Sequence, residues 1–449
     1  AYQRASQAGL KIIGLSAGKS FWADAGTPFE YVSLHGQVAD APIRWHKLLR
    51  KAQLEQSRRR AALERQGVWC SGAIGLGRGV KVAAGTQLHN IVIWDRCRIN
   101  QPFYYSEGVF SHSLSVNKTP LARRKPDQRI FEYLRARESE SQLFLLREQG
   151  SGRRYFRLTL SGKSWVWCVY NRQRRENGTY ACLCRFLENL GLNVPQVYLH
   201  LVDAGEILMA DLGDVCLQGI TDQSQTEQCL REVIHQVAYL HVQGTLEARM
   251  QEVPLQSPFT KGLYDWERDY FQQYILAKLI RCPEIWAEVA EEYSGWRKVL
   301  LTQPAVLLHR DLQSANIMVF KDKPYLIDFQ GMRLGCAGYD VAALLFDPYR
   351  CYPWPVRERL WYDYCQQVIN LGGAPVPERV FYLAACQRLL QALGAFGKLW
   401  LADGLFWYRQ FILPGIQLLQ EAARNSKLQG LVDLAGKVGE KAETILKNT

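Results

Sequence analysis

The sequence predicts an α+β protein built from a short β-helical segment, a small mixed lobe and a larger helical lobe. Three observations lead there. Apolar residues recur every six positions between Gly72 and about Ser115. Strands separated by Gly-Ser turns follow between Phe144 and Tyr170. Beyond Thr226 the chain reads as helix, broken by one short β segment from about Val306 to Phe329.

Its 449 residues suffice for two or three domains. With 48% hydrophobic, 22% charged and 12% aromatic residues, the composition is that of a folded soluble protein and excludes disordered, collagen-like and low-complexity classes. Lys and Arg total 55 against 43 Asp and Glu, a net charge of +12 that suits nucleic acid, acidic membrane or a phosphate-bearing substrate. Much of it sits at Arg58–Arg60, at Arg123–Lys125 and at Arg172, Arg174 and Arg175, where a solvated face is the better account. No known nucleic-acid-binding motif accompanies these clusters, and no apolar run approaches the ~18 to 20 residues of a membrane span, so neither partner is expected. The 12 cysteines contain no Cys-x-x-Cys pair and follow no signal-peptide pattern, which predicts reduced thiols in a cytoplasmic protein. Cys182 and Cys184 lack a nearby His or second pair, so no metal is assigned to them.

Along the chain, Gly9–Gly14 is a short apolar run, and the turn at Phe21–Pro28 precedes a helix to about His35. A second, amphipathic helix spans about Pro42–Gln66. From Gly72 the six-residue period links Ile74 to Val80, Val82 to Leu88 and Ile93 to Ile99, as in stacked hexapeptide coils; about seven units make roughly two coils, and a Gly-punctuated antiparallel meander is the alternative. Residues 1–116 form this first part. The Pro-containing basic stretch 117–128 lacks apolar periodicity and reads as a linker. A small lobe follows over 129–213, with strands at Phe144–Arg147, Arg154–Leu160 and Trp165–Tyr170, a helix at about Asn177–Leu190, and strands near Val197–His200 and Ile207–Ala210. The helical lobe occupies 214–449.

The β segment inside that lobe carries the chemistry. Leu308-His309-Arg310-Asp311-Leu312-Gln313-Ser314-Ala315-Asn316 matches the H-R-D-x-x-x-x-N pattern, and Tyr325-Leu326-Ile327-Asp328-Phe329-Gln330-Gly331 follows it. Phosphoryl transfer needs a carboxylate to orient the acceptor hydroxyl and oxygen ligands for Mg²⁺. Asp311 supplies the first, and Asn316 and Asp328 the second. Ile317–Phe320 and Pro324–Phe329 read as a hairpin around Lys321-Asp322-Lys323, which would bring Asn316 and Asp328 to one metal.

On these residues the stretch from about Gln142 to Gln420 resembles the aminoglycoside phosphotransferase and choline kinase-like family, which implies the two-lobed protein kinase-like fold and the cofactors ATP and Mg²⁺. The resemblance makes Asp311 the catalytic base, His309 a scaffold for the loop, and Asp340, in Gly338-Tyr339-Asp340-Val341, a buried anchor. Gly152–Arg157, Ala210–Asp214, Ile327–Gln330 and Leu390–Phe396 look most like the bacterial anomeric sugar kinases acting on N-acetylmuramate and N-acetylglucosamine. Gly150, Ser151 and Gly152 would cover the nucleotide phosphates, and the backbone of Met209, Ala210 and Asp211 would meet the adenine.

One position departs from the family. A Lys is expected on the third strand to hold the α- and β-phosphates, yet Ser164–Tyr170 has none and Cys168 stands in its place. Arg153, Arg154 or Arg157 could supply the charge, Arg153 and Arg157 sharing one strand face and Arg154 the other. As surface solubility groups they would have no such role. The missing Lys also leaves open a pseudokinase. For the acceptor, Arg333, Asp347, Tyr349, Gln387, Arg388 and Gln391 are polar residues in apolar helical surroundings, where buried structural hydrogen bonds are as good an account. Trp354, Trp361, Trp400 and Trp407 could stack on a sugar or simply fill the core.

The segment Phe21–Tyr31 resembles the end of a sugar-1-phosphate nucleotidyltransferase domain, and the coils, including Ile93-Trp94-Asp95, resemble the left-handed β-helix that often follows it. Asp24 would then be a Mg²⁺ ligand. The Gly-rich loop of that domain is absent, so 1–115 is either part of a longer bifunctional protein, which the start at Ala1 favours, or a remnant with an interaction role. The combined expectation is an ATP- and Mg²⁺-dependent kinase of the anomeric hydroxyl of an amino sugar, with a choline- or aminoglycoside-type kinase, or a weak pseudokinase binding module, as alternatives.

Overall fold

The computed structural model describes residues 47–99, 104–110, 115–117, 126–148, 153–403 and 405–448. These fall into two compact units divided between residues 125 and 126. The expected helix ending at His35 and the candidate ligand Asp24 lie outside the described residues, as do most of the linker and the loop residues Gly150, Ser151 and Gly152.

In the first unit, α1 (Lys47–Arg65) leads into β1 (Trp69–Leu76), β2 (Lys81–Val82), β3 (Gln87–Ile93), β4 (Arg98–Ile99), β5 (Tyr104–Phe110) and β6 (Ser115–Asn117). The long strands β1, β3 and β5 stack in parallel, with Trp69 beside Gln87 and Gln87 beside Tyr104, so each coil takes 17 or 18 residues, three hexapeptides. An antiparallel meander is therefore not what forms; β6 alone returns antiparallel, on β5. Val82, Leu88, Ile93 and Ile99, four of the residues that set the six-residue period, are buried together with Leu63 of α1. Coils pass so closely that a Cβ on Gly77 would collide with the backbone nitrogen of Asp95, which only glycine avoids.

The second unit opens with α2 (Gln128–Leu134), whose N-cap Asp127 accepts from the Arg129 amide. A five-stranded antiparallel sheet follows in the order β10-β11-β9-β8-β7, from β7 (Ser141–Glu148), β8 (Arg154–Leu160), β9 (Lys163–Val169), β10 (Val197–Leu201) and β11 (Glu206–Ala210), with α3 (Arg175–Asn189) between β9 and β10. Leu158, Trp167 and Leu208 bury one face of the sheet together with Ile130 and Phe131 of α2. The Trp167 Nε1–H finds its acceptor in buried Glu206 at 2.9 Å.

The helical lobe contains α4 (Gln223–Tyr239), running on through a π turn at Leu240–Gly244 into Thr245–Met250, and α5 (Lys261–Phe271), continued by a π segment Gln272–Ile280. Then come α6 (Ala290–Leu301), α7 (Gly338–Leu345), α8 (Trp354–Asn370), α9 (Glu378–Leu401), α10 (Ile412–Asn425) and α11 (Gln429–Asn448). The central helix α9 is buried along most of its length. A Cβ on Gly394 would stand 2.7 Å from the Tyr270 carbonyl carbon, so this glycine lets α5 and α9 approach backbone to backbone.

The β segment is longer than the sequence suggests. β12 (Ala305–Leu308) pairs antiparallel with an unanticipated strand, β15 (Arg333–Cys336), placing Leu308 opposite Arg333. Nested between them is the hairpin of β13 (Ile317–Phe320) and β14 (Lys323–Leu326). It is tied to the connections flanking the sheet: Leu326 donates to the Asn193 carbonyl, and Val319 to the Val215 carbonyl, both at 2.8 Å.

Candidate active site

The loop from β12 to β13 is held through its backbone by a buried carboxylate. Asp340, in the first turn of α7, accepts the amide hydrogens of His309 at 2.5 Å and Arg310 at 2.8 Å, and lies 3.3 Å from His241 Nε2. Arg310 has φ of +81°, a conformation that its Cβ resists, and the carboxylate's two bonds stabilise the backbone there. His309 is buried edge-on to Phe329, and desolvation pushes its imidazole below the ordinary 6.5. It is therefore neutral near pH 7 and braces the loop.

Asp311 comes next. Its Oδ1 accepts from Arg388 Nη2 on α9 at 2.8 Å and from Gln313 Nε2, while Oδ2 makes no hydrogen bond among the described residues. Burial raises the carboxyl pKa, but the Arg388 and Arg310 charges, the Gln313 hydrogen bond and the neighbouring His309 act against it, and the net effect holds Asp311 below the usual carboxylate range and ionised. One oxygen is held in place and the other is able to accept a hydroxyl hydrogen.

Asn316 Nδ2 donates to the Asp311 carbonyl at 2.9 Å, and its Oδ1 has no partner among the described residues. Ile317 pairs with Leu326, and Ile327 donates to the Asn316 carbonyl at 3.0 Å, so the open end of the hairpin sets Asn316 close to Asp328. At the closed end Lys321 and Asp322 both have positive φ, 51° and 60°, a turn whose twist matches paired strands. Asp328 lies in the left-handed region at φ 66°, which Asp tolerates better than most residues. Its Oδ1 accepts from Arg153 Nη2 at 2.6 Å and Gln330 Nε2 at 3.0 Å.

Among the described residues no group of three or more His, Cys, Asp or Glu could hold a metal. Asn316 and Asp328 fit Mg²⁺ in another way. They offer one amide and one carboxylate oxygen without hydrogen-bond partners among the described residues, and Mg²⁺ usually completes its shell with phosphate and water oxygens.

A cavity of about 240 Å³ lies beside this pair, lined by Val166, Met209 and Leu212 from the sheet side and by Met318, Ile327 and Asp328 from the hairpin side. A flat apolar base suits that lining. At the expected adenine contact, Ala210 already donates its amide hydrogen to the Gln196 carbonyl at 2.8 Å. The Asp211 carboxylate is engaged by Arg157 at 2.6 Å, and Arg157 also bonds Asp214 at 3.0 Å. Arg157 is thus committed to carboxylates, Arg154 lies on the other strand face, and Arg153 reaches Asp328.

The acceptor candidates separate into groups. Arg388 and Gln391, one turn apart on α9, are in contact with each other, and Arg388 pairs with Asp311. Asp347 is buried and accepts from the Ser314 amide and hydroxyl, so it anchors the loop as Asp340 does; burial pushes its carboxyl up. Tyr349 donates its amide hydrogen to Asp347 and packs its ring among Phe396, Trp407 and Phe411. Gln387 donates to the Tyr264 carbonyl and to Glu267, within a buried network. Arg333 donates to the Gly331 carbonyl, and burial with the nearby Arg310 charge pushes its pKa down. Of the tryptophans, Trp361 stacks on Phe381 at 4.1 Å inside the core, whereas Trp407 is 48% exposed.

Three site residues had no separate signal. Gln313 and Gln330 occupy unspecified positions inside the two motifs, and Glu267, fully buried beneath the loop, accepts from the Tyr339 hydroxyl at 2.6 Å.

The sequence model of the "Phosphotransferase enzyme family" matches residues 145–379. An N-acetylmuramate/N-acetylglucosamine kinase of Neisseria meningitidis is 27% identical over 293 residues, 61% of this chain and 83% of the relative. The enzyme of the same name from Pseudomonas putida is 24% identical over 270 residues, 57% of this chain and 75% of the relative. Among solved structures, the choline kinase LicA of Streptococcus pneumoniae is similar at a TM-score of 0.45 and 14% identity, over 68% of this chain and 97% of that one.

Proposed function

The chain belongs to the phosphotransferase enzyme family, and from that premise we propose that it transfers the γ-phosphoryl group of ATP, with Mg²⁺, to the anomeric hydroxyl of an amino sugar. The observation that carries this reading is the convergence of Asp311, Asn316 and Asp328, each with a side-chain oxygen lacking a hydrogen-bond partner among the described residues, next to an apolar cavity. The names of the two kinases similar in sequence support a sugar as acceptor.

In this reading the acceptor hydroxyl donates to Asp311 Oδ2, whose partner oxygen Arg388 and Gln313 keep from turning. The carboxylate orients the hydroxyl for in-line attack and receives its proton as the new O–P bond forms and ADP leaves. When bound on Asn316 and Asp328, Mg²⁺ supplies positive charge to the transferring phosphoryl oxygens. Arg388 at the acceptor side disfavours a cationic substrate such as choline or an aminoglycoside and suits a neutral or acidic sugar.

In the same reading residues 1–116 are a nucleotidyltransferase-like tail whose coils wind left-handed and whose Asp24 would ligate Mg²⁺; the 17- or 18-residue coils support the β-helix. All 12 cysteines are free thiols, which supports a cytoplasmic location.

The test is ADP release from MgATP with N-acetylmuramate, N-acetylglucosamine, other hexoses, choline and an aminoglycoside, with Asp311→Asn as control. Turnover of one sugar to its 1-phosphate, lost in the variant, is expected. Turnover of choline or the aminoglycoside instead would replace the acceptor assignment, and failure to bind MgATP would favour a pseudokinase.

A further inference from the structure

A nucleotide seated in the cavity needs a cation for its phosphates in addition to any metal, and β9 offers none at the cavity: its one Lys, Lys163, is exposed at the turn from β8, and Cys168 is buried at 2% exposure in the place of the expected Lys. The thiol is pushed up to about 12, with burial as the main cause, so it is neutral. Of the three arginines on β8 and its approach, Arg157 is held by both Asp211 and Asp214. Arg153 is different. It precedes β8 on the strand face of Tyr155, which lines the cavity, and it is itself 4% exposed. Its electrostatic neighbours are Tyr155, Asp328 and Cys168. Its guanidinium donates to Asp328 Oδ1 at 2.6 Å and to Gln330 Oε1 at 2.7 Å. The cation thus lies beside the residue that replaces the Lys, and its carboxylate partner is a residue that also fits Mg²⁺.

Building on the kinase reading, we propose that Arg153 is the phosphate-binding cation of the nucleotide site and that its ion pair with Asp328 is exchanged on loading. The carboxylate passes to the metal, and the guanidinium fork turns from Asp328 to phosphate oxygens, which it matches in geometry. Until loading, each group satisfies the other, so a buried charge is never left unpaired. Each ligand then removes one member of the pair and frees the other for its companion. Metal and nucleotide must therefore favour each other's binding within the protein. It also follows that a substitution destroying a metal ligand strengthens metal-free nucleotide binding, because it releases Arg153.

The experiment is calorimetric titration of the full chain with ADP, in EDTA and in Mg²⁺, for the parent and for Asp328→Asn, Arg153→Met, Arg153→Met/Asp328→Asn and Arg153→Met/Cys168→Lys. In EDTA, Asp328→Asn is expected to bind ADP about 3- to 10-fold more tightly than the parent, and Arg153→Met about 10- to 100-fold more weakly, the scale of charge-assisted hydrogen bonds. Combining Arg153→Met with Asp328→Asn should abolish the gain. Adding Cys168→Lys to Arg153→Met should recover at least about tenfold of the loss, as expected of a charge restored to the same space. Asp328→Asn binding metal-free ADP no more tightly than the parent overturns the exchange, whether or not the Met variants fold. Arg153→Met binding within about threefold of the parent overturns the assignment of the cation, since a lost charge-assisted bond costs more. A parent that binds ADP neither with nor without Mg²⁺ would overturn the kinase reading itself; a parent that binds MgADP while Asp328→Asn stays unchanged overturns this proposal alone.

Discussion

Arg388 and Asp311 stand 77 residues apart in the chain and 2.8 Å apart in the structure, joined by an ion pair in which the arginine side chain is 4% exposed and the carboxylate 27%. In the proposed mechanism the contact fixes the carboxylate that the acceptor meets. Replacing Arg388 by Met should lower kcat about 10- to 100-fold and leave Asp311 as a partly buried charge, at a cost of ~1–3 kcal/mol in folding stability. Steady-state kinetics and a urea titration measure both. Unchanged kcat would remove Arg388 from the site.

Asp340 is the more severe position. Asp340→Ala strands the amide hydrogens of His309 and Arg310 in a buried setting, and a loss of ~3 kcal/mol or more is expected. Asp340→Asn keeps one acceptor oxygen and should fall between the parent and Ala. The denaturation midpoints of the three proteins, read against one another, give the order directly.

The neutral His309 makes stability depend on pH. Its folded pKa lies below the ordinary 6.5, so as pH falls through 6.5 the unfolded chain takes up a proton that the folded chain refuses. Stability should therefore decline with falling pH from about 6.5 downward, and His309→Asn should flatten that decline. His200, which burial also lowers, acts with the same sign, so the slope shrinks rather than vanishes. A variant with the parent's slope between about pH 5 and 7 would contradict the assignment.

Gly394 tests the helix contact. Gly394→Val puts carbon 2.7 Å or less from the backbone of α5 at Tyr270 and should cost about 1–3 kcal/mol or more by overpacking, with helix propensity giving little back. Gly295, which has open space around its Cβ position in α6, is the control: Gly295→Ala should be neutral or stabilising by up to about 1 kcal/mol. Thermal melts of the two variants are enough.

What the sequence made legible was local. The H-R-D-x-x-x-x-N stretch and the Asp-Phe-x-Gly-like stretch are contiguous, and the hairpin joining them needs only one short turn, so Asp311, Asn316 and Asp328 could be named before any contact was seen. The strands β8 and β11 were readable for the same reason, by alternation between turns. β15 was not, because Arg333–Cys336 is four residues long, contains a glycine, and becomes a strand only by pairing with β12. The pairing of Arg388 with Asp311, and of Arg153 with Asp328, depends on how distant elements pack. Composition shows that such arginines exist, but not which carboxylate each will meet. Asp347 reads in the sequence as either an acceptor contact or a buried structural hydrogen bond, because a polar residue in an apolar stretch fills both roles; in the structure it holds Ser314.

The hairpin β13–β14 is bonded through Leu326 to Asn193 and through Val319 to Val215, the stretches that lead into and out of the last two strands of the sheet. The bonds that set the spacing of Asn316 and Asp328 lie within the hairpin, whereas Arg153 belongs to the sheet side, at the approach to β8. Their ion pair is therefore a seam between two separately built pieces, and a substitution in the sheet can disturb it while the spacing of the two hairpin residues stays as it is.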